Sequence, residues 1–303
     1  MRQGRMRRGG DGFATFMGGM IAALAILAAV AVSARQAEPA DGAEADVLSI
    51  GGSVTEIVAA LGQAHRIKAR DTTSTYPPEL ADLPDVGYMR ALSPEGVLSV
   101  DPSLIISEDG AGPPEALEVI RAADVPFIEV PAAMSPEGIL EKIDIVGEAL
   151  GVPEQAEALA AEVGEDLESA IARAEARAEA PRRVLFVLST QGGRITASGT
   201  GTAADAMIRM AGGVNAIGDF EGYKQMSDEA VGLAAPDVIL MMDRGGDHGL
   251  PDDELFAMPP IRVTPAAQSR SVVRMDGLLL LGFGPRTAEA VEQLSQALYG
   301  GDA

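Results

Sequence analysis

The 303-residue sequence contains no cysteine. Disulfides, thiolate metal sites, a thiol nucleophile and a lipid-modified N-terminal cysteine are excluded by that absence. Histidine is nearly missing: only His65 and His248 occur. A three-histidine metal site is impossible, and a Ser-His-Asp triad would have to use one of these two. There is no tryptophan, and four tyrosines leave few groups for stacking. Positive charge is also scarce. The 23 Lys and Arg face 45 Asp and Glu, for a net charge of −22. Such a surface repels phosphate backbones, so nucleic acid is not an expected partner. What is present in quantity is apolar. At 47% hydrophobic, the chain can bury the core of two ordinary domains or one large one.

Long apolar runs are confined to the N-terminus. Arg2, Arg5, Arg7 and Arg8 precede an apolar stretch from Phe13 to Val32, and Val32-Ser33-Ala34 has the small residues that signal peptidase requires. Residues 1–34 read as a secretory signal peptide cleaved after Ala34, followed by a polar linker over 35–45. The alternative is an uncleaved membrane anchor, since about 20 residues can span a bilayer. The leader holds four Arg and one Asp, so the exported remainder carries −25. The location expected is the periplasm.

Beyond residue 46, short apolar runs alternate with helical periodicities. Val47 to Ile50 is a strand, Gly51-Gly52-Ser53 a turn with Ser53 as helix cap, and Val54 to Leu61 a helix. Leu104 to Ser107 and Pro126 to Val130 are further strands, with a helix over 115–123 between them. This alternation predicts an α/β lobe over 46–134 with a parallel sheet. Residues 135–181 are helical, with a break at Gly151-Val152-Pro153, and predict a connector. After it the alternation restarts, predicting a second α/β lobe over 182–303. Its strands are 184–188 and 238–242, with helices over 202–210 and 285–299. A weak repeat at an offset of 134 supports two lobes: Leu92 to Ile105 aligns with Met226 to Ile239. Each copy reads as a capped short helix, a proline turn and a buried strand. Ser93 and Ser227 are the caps, and Glu95 and Glu229 lie in the first turns.

Enzyme motifs are missing. No P-loop, no G-x-S-x-G and no His-Glu-x-x-His occurs. Gly199 to Ala204 fits only a loose dinucleotide pattern, and the strand before it is expected to end at Leu188, too far upstream. His65, beside Arg66, reads as a surface residue. His248 sits in a Gly-rich loop after a strand, where α/β folds place ligands. Asp243, Asp247, Asp252 and Asp253 flank it and read as a solvated acidic loop.

The most distinctive chemistry lies in Gly87-Tyr88-Met89-Arg90. In an extended segment Tyr88 and Arg90 project to one side. A phenolate is a hard donor suited to ferric haem, and a nearby guanidinium favours the anion. A tyrosine packed at a lobe edge, with Arg90 in a surface ion pair, is the alternative.

Three runs carry a resemblance: Leu48 to Ile57, Asp71-Thr72-Thr73-Ser74-Thr75-Tyr76-Pro77-Pro78, and Val86 to Ser93. With Gly110 to Pro114, Gly201 to Asp205 and Leu278 to Thr287, they resemble the periplasmic haem-binding proteins of haem ABC importers over about residues 46 to 299. Some pieces are shared with the wider class that binds cobalamin and ferric siderophores. The resemblance implies two α/β lobes joined by one long helix, with Fe(III) protoporphyrin IX carried in the cleft between them. It implies Tyr88 as axial ligand to the haem iron, with Arg90 tuning it or pairing with a propionate. It further implies that Glu95 and Glu229, one per lobe, dock a membrane permease coupled to its ATPase, with the protein acting as a monomer. Tyr223, Lys224, Met242, Arg244 and Phe283 are additional expected cleft contacts. The stretch Leu188 to Gly193 lacks the histidine that some members use for a second haem, which favours one haem and leaves His248 open. The competing readings are a corrinoid or ferric-siderophore carrier, a haem buffer without a permease, and a secreted hydrolase using His65 or His248.

Overall fold

The computed structural model describes residues 46–243 and 250–300. The expected signal peptide, the linker, Arg244, Asp247 and His248 lie outside the described residues. Among the described residues, no helix is long and apolar enough to cross a membrane.

The first lobe contains β1 (Val47–Ile50), α1 (Gly52–Ala60), β2 (Ile67–Arg70), α2 (Pro94–Ser99), β3 (Leu104–Glu108), α3 (Pro114–Arg121) and β4 (Phe127–Val130). Its sheet has the order β2-β1-β3-β4 with every pairing parallel. Next come α4 (Pro136–Leu150) and α5 (Pro153–Arg177). The second lobe begins with β5 (Arg183–Ser189), β6 (Thr196–Ser198), α6 (Ala203–Met210), β7 (Val214–Asn215) and β8 (Tyr223–Gln225). It continues with α7 (Asp228–Ala234), β9 (Val238–Asp243), α8 (Asp252–Ala257), α9 (Pro265–Ser269), β10 (Val272–Asp276), α10 (Gly277–Leu281) and α11 (Thr287–Tyr299).

The second sheet has the expected parallel centre and adds an antiparallel strand at one side. β10, β9, β5 and β7 pair in parallel, but β6 is antiparallel to both its neighbours, β5 and β8. The reason is the short link from β5 to β6. A turn over Gln191–Gly193 is too short for a crossover, so the chain must fold back as a hairpin. This also places a strand directly before Gly199, nearer than the sequence suggests. Gly199 serves packing there, because a Cβ would meet the Phe220 carbonyl oxygen at 2.1 Å.

Both central sheets bury both faces, as their uninterrupted apolar strands require. On β5, Val184 and Phe186 enter the core shared with α5, α6 and α11, whereas Leu185 and Val187 face α7, α8 and α9. On β1, Val47 joins the shared core, and Leu48 and Ile50 face α2 and α3. That shared core runs from α1 through α4 and α5 to α11, so the lobes are joined by continuous apolar packing.

The connector is a pair of helices. Ser135 caps α4 through the Gly138 amide, and Gly151, with φ 71, closes it in the left-handed region. α5, 25 residues long, then makes the crossing to the second lobe. It also binds α11 through Arg173 and Arg177 to Glu292.

The internal repeat is real in three dimensions. Ser93 accepts from Gly96 N and Ser227 from Ala230 N, each capping a short helix that leads into a central strand. The equivalence reaches the backbone: Asp101 has φ 48 and Ala235 has φ 43. Ser53 does not follow the expectation. Gly51 is the cap residue of α1, and the Ser53 hydroxyl, two residues further on, donates to Glu108 Oε1 at 2.8 Å.

Candidate functional site

A cleft of about 970 Å³ opens between the lobes. The C-terminal ends of strands feed it, the usual ligand position of open α/β sheets. Glu108 and Asp109 come from the end of β3, Leu188 from β5, Met242 and Asp243 from β9, and Asp276 from β10.

The first-lobe wall is built on Asp71, which is fully buried. Its Oδ1 accepts from Gly51 N at 2.9 Å and from Ser74 Oγ at 2.8 Å. Its Oδ2 accepts from Thr73 N at 2.9 Å and from Thr73 Oγ1 at 2.7 Å. These bonds shape the Asp-Thr-Thr-Ser segment and set Thr73 and Thr75 on the cleft. The neighbouring segment is tied to it, since Thr72 N donates to Gly87 O at 3.0 Å and Gly87 N to Asp85 Oδ1 at 2.8 Å. Tyr88 follows directly.

Tyr88 and Arg90 both line the cleft, but not through an extended backbone. Met89–Ala91 is a 3-10 turn. Met89 is driven into the apolar cluster under the sheet, and its neighbours on either side are left facing outward. Tyr88 is 48% exposed, and among the described residues its hydroxyl has no hydrogen-bond partner. Arg90 likewise has no carboxylate partner among the described residues, unlike Lys142, which is spent on Glu108 at 2.6 Å. The remaining lining acids are Asp109, Asp243 and Asp276, the last of which caps α10 through Leu279 N. Among the described residues, Arg90 is therefore the cation in this lining that can meet a ligand anion.

The opposite wall supplies Tyr223, Met242 and Phe283, as the sequence suggests. The Tyr223 phenol hydrogen-bonds the Thr202 hydroxyl and lies within the field of Arg90 from the other lobe. Burial pushes its pKa above the ordinary tyrosine value, outweighing Thr202, Arg90 and the Ala204 backbone, so it is a neutral phenol at pH 7. Lys224 points elsewhere. It does not line the cleft, and its ammonium sits 4.9 Å from the Phe220 ring centre. The pleat of β8 explains this, because Tyr223 and Lys224 must face opposite sides. Met134, Leu278 and Leu281 extend the apolar lining.

Outside the cleft, Glu95 and Glu229 are exposed in the first turns of α2 and α7, with no ion pair among the described residues. His65 is exposed on a 3-10 turn. Asp252 and Asp253 are not free acids, since they pair with Arg274 at 2.8 Å and Arg270 at 2.6 Å. Among the described residues no cluster of His, Asp and Glu is arranged to hold a metal ion.

Sequence reasoning missed the buried charges at and behind the floor of the cleft. Lys142 is 1% exposed, and Glu56 is 5% exposed. A signal existed. Lys142 sits on the apolar stripe of α4 between Ile139, Ile143 and Val146, and Glu56 lies among Val54, Ile57 and Val58 on α1. A charge at a core position needs a buried partner.

The profile of the family described as periplasmic binding protein matches residues 47–278. Among solved structures, the chain is 40% identical to the periplasmic heme-binding protein RhuT from Roseiflexus sp. RS-1, with a TM-score of 0.81 over 86% of this chain and 99% of that one. It is 27% identical to YvrC of Bacillus subtilis, an uncharacterized ABC transporter substrate-binding lipoprotein, over 84% of this chain and 79% of that one. It is also 25% identical to the vitamin B12-binding protein of Vibrio cholerae, over 82% of this chain and 87% of that one.

Proposed function

The chain belongs to the periplasmic binding protein family, and from that premise we propose that it captures haem in the interlobe cleft and hands it to an ABC permease. It is a substrate-binding protein of the haem, cobalamin and siderophore class, not an enzyme. The observation that carries haem over the other ligands is Tyr88. A phenol and, beside it, an Arg90 that both lack protein partners among the described residues have the chemistry of a ferric axial ligand and its supporting cation. Phenolate suits Fe(III), and the iron lowers the cost of losing the phenolic proton. Met134, Leu188, Met242, Leu278, Leu281 and Phe283 offer the apolar contact a porphyrin face needs. Arg90 then takes a propionate or stabilises the phenolate.

Glu95 and Glu229 fit as the two docking acids, one per lobe, for arginines of a two-fold permease. The protein acts as a monomer in the periplasm after export. A corrinoid is the second reading, favoured by the likeness to the vitamin B12-binding protein of Vibrio cholerae.

Titrating the purified protein separately with hemin, cyanocobalamin and a ferric siderophore separates these ligands. Saturable growth of a Soret band, with no competition from the other two, is the expected result. Binding of cyanocobalamin without binding of hemin would replace haem with a corrinoid.

A further inference from the structure

The floor of the cleft is a polar seam between the lobes. Its second-lobe side is the loop between α10 and α11, residues 282–286. Its first-lobe side is α1, the end of β3, and the loop that carries Tyr76. Arg286 meets Glu56 of α1 through two nitrogens: Nε lies 3.2 Å from Oε2, and Nη2 donates to Oε1. The carbon of the same guanidinium sits over the Tyr76 ring, 3.6 Å from its centre. Arg286 is thus held between a buried carboxylate and an aromatic face, both from the other lobe.

A second cation works beside it. Lys142 Nζ donates to Glu108 Oε1 at 2.6 Å and lies 3.4 Å from the Phe283 carbonyl oxygen and 3.5 Å from that of Gly282. The loop is shaped for this approach. Phe283 is 1% exposed and has φ 52, a conformation side chains adopt only when surroundings impose it. Gly284 leaves no room for a side chain, because a Cβ would come within 3.0 Å of Glu56 Oε2. Both cations are needed electrostatically as well as sterically. Glu56 and Glu108 would otherwise be charges taken out of water without a partner.

We propose that Arg286, clamped between Glu56 and Tyr76, and Lys142, bridging Glu108 to the 282–283 carbonyls, are positioning residues that fix the aperture of the cleft and so set how fast a bound ligand leaves. Arg286 does so from outside the lining, and Lys142 with its charge already committed to Glu108. Arg286, Glu56 and Tyr76 do not line the cleft, whereas Lys142 and Glu108 sit in its floor. The clasp acts on the cleft as such. Only the ligand-release part of its test rests on the haem reading.

The absence of cysteine makes the aperture measurable. Val119→Cys on α3 and Val263→Cys between α8 and α9 place one exposed spin label on each lobe of an otherwise thiol-free protein. Pulsed electron spin resonance then reads the interlobe distance in the ligand-free protein. The background with an intact clasp is expected to give one narrow distribution. Glu56→Gln, which removes the charge facing Arg286, is expected to broaden and lengthen it. Tyr76→Leu, a change at a partly exposed residue that spares the ion pair, is expected to do so to a smaller degree, and decides the matter if Glu56→Gln does not fold. Hemin transfer to an apo-globin acceptor is expected to be on the order of tenfold faster from the variants, with unchanged absorption bands. Distributions identical to the intact background in folded variants would overturn the clasp. If the wild-type protein takes up no hemin, the haem reading fails, and the distance measurement alone still decides the clasp.

Discussion

Tyr88 and Tyr223 line one cleft from opposite lobes with similar exposure, 48% and 40%, yet among the described residues protein groups, the Thr202 hydroxyl and the Ala204 backbone, stand close enough to influence the Tyr223 hydroxyl, whereas none bonds that of Tyr88. The two phenols therefore have different chemistry available. Tyr223, with its pKa pushed up by burial, is a neutral donor. Tyr88 is left open to a ligand.

Tyr223→Phe is expected to keep the ferric-tyrosinate charge-transfer bands and to weaken hemin binding by about three- to tenfold, the worth of one hydrogen bond. Absorbance titration reads both. Disappearance of the charge-transfer bands in this variant would move the iron ligand to the second lobe.

Glu95 and Glu229 stand exposed at matching places in the two lobes. Glu95→Lys combined with Glu229→Lys is expected to abolish haem-dependent growth of cells relying on this importer, while hemin binding by the purified protein stays within about twofold of wild type. Normal growth would assign the two acids to ordinary first-turn roles and leave the protein a buffer.

Ala235 is held at φ 43 by the turn into β9. A Cβ there costs about 1–2 kcal/mol, part of which glycine's greater chain entropy takes back. Ala235→Gly is expected to raise stability by about 0.5–1 kcal/mol in urea unfolding. A loss of stability would show that the alanine methyl packs more usefully than its backbone suffers.

Glu292 ties α11 to α5. Its hydrogen bond from Arg177, aided by Gln296 and Arg173, holds its pKa down to about 2. A carboxylate depressed in the fold stabilises at pH values above its unfolded pKa of about 4.3, and that contribution fades as pH falls through the folded value. Because the pair lies at the surface, it is worth about 0.5–1 kcal/mol. Glu292→Gln is expected to be less stable than wild type by that amount at pH 6. The gap should close between pH 4 and pH 2. A gap that persists unchanged at pH 2 would mean that the glutamate acts by packing rather than by charge.

Much of the fold was legible because it rests on local pattern. Apolar strands, capped helices and the Gly-Val-Pro break at 151–153 are written in neighbouring residues. The repeat at offset 134 was legible for the same reason, and the paired positive φ values of Asp101 and Ala235 deepen it. β2 and β10 were not anticipated. Ile67–Arg70 is short and alternates, and Val272–Asp276 carries Arg274. At the cleft, Tyr88 stood out by rarity, and the second-lobe lining residues Tyr223, Met242 and Phe283 by their places near strand and loop ends. Lys224 misled because adjacency in sequence hides the strand pleat. The floor was illegible because its partners are far apart in the chain. Glu56 and Arg286 are separated by 230 residues, and no local spacing announces such a pair.

The measurement that bears most directly on the central claim is the absorption spectrum of the hemin complex of wild type beside that of Tyr88→Phe. Wild type is expected to show a Soret band with high-spin ferric-tyrosinate charge-transfer features. Their loss, with binding weakened at least tenfold, is expected in Tyr88→Phe. A Tyr88→Phe complex with the wild-type spectrum and affinity would contradict that claim.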